Sequence, residues 1–145
     1  MSLPHIGVFS KTLEKSHQWI QELMDELGWV DSQKTYRAFR VVLHALRDHL
    51  TVEETVQLGA QFPMLIRGLY YEGWKPSKQP IKERSEEQFL IRVAQYFQND
   101  PYLETVEDFE KLVGKVFSVI SRHVTKGEIQ DILKILPRGI RNLWA

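Results

Sequence analysis

The stretch Phe39-Arg40-Val41-Val42-Leu43-His44-Ala45-Leu46-Arg47-Asp48-His49-Leu50-Thr51-Val52-Glu53-Glu54 decides the fold. Phe39, Val42, Leu43, Leu46 and Leu50 recur at helical spacing, so they line one face of an α-helix. Thr51 and Glu54 then stand as a capping box does, with hydroxyl and carboxylate satisfying each other's orphan amides. The stretch predicts an amphipathic helix that stops near Leu50 and a second helix that starts at once.

The same stripe recurs on either side. Ile20, Leu23, Met24 and Leu27 carry it, as do Leu90, Val93, Ala94 and Phe97. Val113, Val116, Phe117, Ile120 and Val124 form another, and Ile129, Ile132, Leu133 and Leu136 the last. No run alternates with period two for long enough to make a sheet. The predicted class is all-α. Gly28 falls where a helix C′ residue belongs. Asp31 or Ser32 can cap the second helix, and Ser85 with Gln88 and Thr125 with Glu128 repeat the box spacing. Pro63 and Pro137 suit the first turn of short following helices.

The chain also matches itself. Residues 42–71 laid on 116–145 without a gap give eight identities in 30 pairs, where ordinary composition would give about two. The identities are Val42/Val116, His49/His123, Thr51/Thr125, Glu54/Glu128, Pro63/Pro137, Ile66/Ile140, Arg67/Arg141 and Leu69/Leu143. The expected architecture is a tandem repeat of two small helical units, each with three longer helices and one short one. Residues 1–74 form the first unit, 75–84 a linker and 85–145 the second. Units this small should pack on each other as one globular bundle.

Composition removes several function classes. The 145 residues hold 19 basic and 19 acidic side chains, five His and no Cys. Without Cys there is no thiol catalysis, thiolate zinc, iron–sulfur cluster or disulfide. Zero net charge argues against binding nucleic acid by bulk charge. No apolar run reaches the ~20 residues of a membrane span. Met1 to Gly7 does not read as a signal peptide, so the expected location is the cytoplasm.

Few constellations could carry chemistry. His44 and Asp48 stand four apart and can share a helix face, but His49 lies about 100° further round and cannot easily join a metal with both. His49 and His123 read as structural groups near helix-terminal carbonyls. So do Thr51, Glu54, Pro63, Thr125, Glu128, Pro137 and Arg141, all kept in both halves. No catalytic residue, metal or cofactor is predicted. Residues 61–74 are the least ordinary stretch. Arg67, Tyr70, Tyr71 and Trp74 are the residue types that dominate binding hot spots, so they are the partner-binding candidates. Beside Trp74, Lys75, Lys78, Lys82 and Arg84 make a basic patch that Glu83, Glu86 and Glu87 dilute. It reads as a solvated linker.

Tyr36 to Glu54, followed by Ala60-Gln61-Phe62-Pro63 and Arg67-Gly68-Leu69-Tyr70-Tyr71-Glu72-Gly73-Trp74, resembles the bacterial family called domain of unknown function 2267. The resemblance runs from about Trp19 to Trp144 and continues in Thr125-Lys126-Gly127-Glu128 and Leu136-Pro137. His49 stands where that pattern suggests Arg, and Phe62 where it suggests Leu. The resemblance implies an all-helical prokaryotic protein and brings no activity, cofactor or catalytic residue.

Three functional expectations follow. The first is a non-enzymatic protein-interaction or scaffold/adaptor module, bound to a protein partner or to itself, in a stress or regulatory setting. The second is a nucleic-acid-associated regulator, suggested by the tandem units and the basic patch. The third is a metal-dependent enzyme using His44 and Asp48.

Overall fold

A computed structural model describes residues 2–144 as eight α-helices and two short 3-10 turns. The helices are α1 (Gly7–Leu27), α2 (Ser32–His49), α3 (Val52–Gly59), α4 (Met64–Tyr71), α5 (Glu86–Ala94), α6 (Val106–His123), α7 (Lys126–Ile135) and α8 (Arg138–Arg141). Local chemistry sets their ends. Gly28 closes α1 in the left-handed conformation at φ 69°, its N–H donating to Met24 O. Asp31 caps α2 by accepting from Lys34 N at 3.0 Å. Ser85 and Gln88 complete a full capping box on α5. A second full box, Thr105 with Asp108, starts α6 and was not among the expected caps.

The anticipated boxes at Thr51 and Thr125 are only half made. Each threonine accepts from the backbone N–H of Glu54 or Glu128, at 3.1 and 3.3 Å. Neither glutamate reaches back to the cap amide. Gln61 takes that role at Thr125: its Oε1 accepts from Thr125 N at 2.8 Å and its Nε2 donates to the Thr125 hydroxyl. Pro63 and Pro137 stand at the N-caps of α4 and α8 rather than inside the first turn, with the same φ −56° and ψ 150°. The expected helix lengths also shift, since α3 is no longer than α4 at eight residues each.

One core joins all eight helices. Its largest fully buried side chains are Trp19, Tyr70, Phe39, Phe89 and Phe117. α1 lies along both α2 and α6, and α3 meets α7. Trp19 shows how the two ends of the chain share the core. Its ring meets Phe39 and Phe62 edge-on and stacks on His123 at 4.7 Å. His123 in turn donates from Nε2 to the Glu22 carboxylate at 2.9 Å. Burying a side chain of Trp19's size contributes a few kcal/mol.

The linker, residues 75–84, is a strap held against the bundle. Gln79 Nε2 has three acceptors in reach of its two N–H groups: Arg47 O at 2.9 Å, Leu50 O at 2.7 Å and Thr55 Oγ1 at 2.6 Å. Its Oε1 accepts from the Trp74 indole. Ile81 N donates to Asp48 O at 2.8 Å. The strap therefore satisfies carbonyls that the end of α2 leaves open. Further on, its backbone crosses α8 so closely that a Cβ on Gly139 would lie 2.7 Å from Arg84 O.

Candidate functional site

Arg37, Arg40, His44 and Arg47 follow one another along α2 at steps of three or four, which puts them on one face. Arg47 is the deepest, at 4% exposure. Its Nε donates to Asp48 Oδ1 at 2.9 Å, and its Nη1 donates to Tyr70 O and Glu72 O, both at 2.7 Å. It thereby caps the C-terminal end of α4 and pins it to α2. Arg40 pairs with Glu72 at 2.9 Å and holds that carboxyl below the usual carboxylate range. Arg37 donates to Tyr96 O at 2.6 Å and lies over the Phe97 ring.

The strap and α5 close the other side. Arg92 grips both oxygens of Glu83 at 2.8 and 2.9 Å. Between α2, the strap and α5 lies a cleft of about 480 Å³. Arg37, Arg40, Arg47, Lys75, Lys78 and Arg92 line it, against only Asp48 and Glu72. Six of the chain's 19 basic residues thus converge on one concavity of a chain with zero net charge. Among the described residues Lys75 and Lys78 make no ion pair.

His44 also lines the cleft. Its Nε2 donates to Leu69 O at 2.6 Å, and burial pushes the ring's pKa down. Asp48 accepts from Arg47. His44 and Asp48 each serve a different backbone or side-chain partner, and no hydrogen bond or ion pair joins them. His49 stands apart from both, its side chain fully enclosed. Its Nδ1 faces Ala45 O at 2.7 Å and its Nε2 faces Glu83 Oε1 at 3.0 Å. Both partners are acceptors, so both bonds form together only when the ring carries two protons.

Of the four partner-binding candidates, Tyr70 is not at the surface. Tyr70 is completely buried, with its hydroxyl donating to Thr55 O at 2.9 Å, so it belongs to the core. Burial raises its pKa. Tyr71 is half-buried: it packs on Tyr70 and Trp74 and fits over Gly59, where a Cβ would come within 2.5 Å of its hydroxyl. Trp74 is half-buried and held by Gln79. The Arg67 side chain donates to Gly59 O, Ala60 O and Phe62 O, and Arg141 donates to Leu136 O.

The family model described as uncharacterized conserved protein (DUF2267) matches residues 16–143. The chain belongs to the DUF2267 family. Its match covers the elements that build the cleft, from α2 through the strap to α5, within one all-α bundle. No curated protein matches this DUF2267 chain. Among the described residues no helix is long and apolar enough to cross a membrane.

Sequence reasoning passed over the cleft. Its signal was the basic stripe at 37, 40, 44 and 47, the polar counterpart of the apolar stripe that located α2. Gln79 gave no signal, since a glutamine in a Pro-rich segment reads as solvated until its acceptors are placed.

Proposed function

We propose that this DUF2267 protein is a non-enzymatic interaction module whose cationic cleft receives an acidic segment of a protein partner. The observation that carries the reading is the convergence of six cations on one cleft with two carboxylates to offset them. Arg47, Arg40 and Arg92 are already held by protein groups, which makes the walls rigid. Lys75 and Lys78, on the strap, carry the unspent charge. A concavity of about 480 Å³ suits a few carboxylate side chains better than the long backbone of a duplex. Tyr96, which lines the cleft, supplies an aromatic wall.

The test is fluorescence anisotropy of a labelled Asp/Glu-rich peptide at low salt. Binding that Lys75→Glu/Lys78→Glu removes, with the thermal midpoint unchanged, supports the reading. Absence of binding, or equal binding by the charge-reversed protein, overturns it. Tighter binding of single- or double-stranded DNA than of the peptide moves the assignment to the nucleic-acid reading.

We also read the chain as two copies of one helical unit, residues 1–74 and 85–145, with the strap between them. The eight identities support this, as do the matching caps at Thr51 and Thr125 and the matching dihedrals at Pro63 and Pro137.

A further inference from the structure

Glu54 and Glu128 each occupy the third position of their helix, α3 and α7. Both are over nine-tenths buried, at 6% exposure. The Oε2 atom of each is shut off from solvent and has no hydrogen-bond partner. Asp131 follows Glu128 by three residues on α7 and is exposed. One oxygen from each of the three carboxylates lies within 4.8 Å of the other two. Among the described residues no Lys, Arg or His pairs with any of them.

An ionised carboxylate oxygen only accepts, and burying one without a donor is costly. Two such groups side by side also repel, and Asp131 adds a third charge. Among the described residues no ion pair offsets them. We propose that Glu54, Glu128 and Asp131 bind a divalent cation, which ties α3 to α7. The donors are all oxygen, which selects a hard ion such as magnesium, manganese or calcium over zinc or copper. Exposed Asp131 gives the ion its entry, and water completes its shell. The site shares no residue with the cationic cleft, so each can fail alone.

The experiment is calorimetric titration of MnCl2 into the chelator-treated full chain at pH 7.5, with thermal melts alongside. The expected result is one manganese per chain. Linkage at a hundredfold excess over the dissociation constant raises the melting point by roughly 5–10 °C. Glu128→Gln should abolish both signals. Asp131→Asn should weaken binding at least tenfold. No heat and no melting shift in wild type would overturn the site and leave the pair sharing a proton. Unchanged manganese binding by Glu128→Gln would also overturn it.

Discussion

Arg47 and Gln79 meet at the C-terminal end of α2, where the Gln79 amide donates to the Arg47 carbonyl at 2.9 Å. The Arg47 guanidinium points the other way and holds the end of α4 through Tyr70 O and Glu72 O. One residue thus joins α2, α4 and the strap, and the cleft is shaped by that junction.

Gln79→Ala should lower stability by about 2 kcal/mol, because it leaves Leu50 O and the Trp74 indole without their partner and takes one of several donors from Arg47 O. Gln79→Glu should cost more, since a carboxylate would face those carbonyls. Urea unfolding followed by circular dichroism measures both. A loss below about 0.5 kcal/mol for both would show that the strap is solvated after all.

Two glycines should respond with opposite signs. Gly139→Ala meets the strap backbone at 2.7 Å and should destabilise by about 2 kcal/mol. Gly68→Ala has open space around it within α4 and should stabilise by about 0.5–1 kcal/mol. The same unfolding curves give both values.

Glu83 makes acid stability testable. The Arg92 guanidinium, and then the His49 ring, hold its carboxyl below the ordinary glutamate value. A depressed folded-state pKa contributes stability above the unfolded value of about 4.3 and loses it as pH falls through the folded value. Glu83→Gln should therefore be less stable than wild type by about 1 kcal/mol at pH 6–7, and the gap should close below about pH 4. A gap independent of pH would mean that Glu83 contributes by packing alone.

Thr51→Ala and Thr125→Ala test the two-unit reading. Each removes the same cap on the third helix of its half, so each should cost about 1 kcal/mol. Thr125 also receives the Gln61 amide, which places its loss at the upper end. A cost at only one of the two positions would argue against equivalent units.

The apolar stripes and cap residues of the sequence placed α1, α2, α6 and α7 because those signals are local. Helix length was less legible: α5 ends at Ala94, yet the stripe runs on to Phe97, which is buried from the following turn. Glu54 and Glu128 show the larger gap. Box spacing predicts that each carboxylate turns back to its own helix, but the meeting of α3 and α7 turns them toward one cluster. Tyr70 and Trp74 are similar hot-spot residues in composition, and only packing separates a core ring from a half-exposed one.

The most direct test of the binding account is a nitrogen-15 NMR titration of the full chain with the acidic peptide. Shifts confined to residues 37–48, 72–81 and 92–96, the segments that contribute the cleft lining, are the predicted result. Shifts centred on the α1–α4 face, or none at peptide concentrations in the millimolar range, would contradict it.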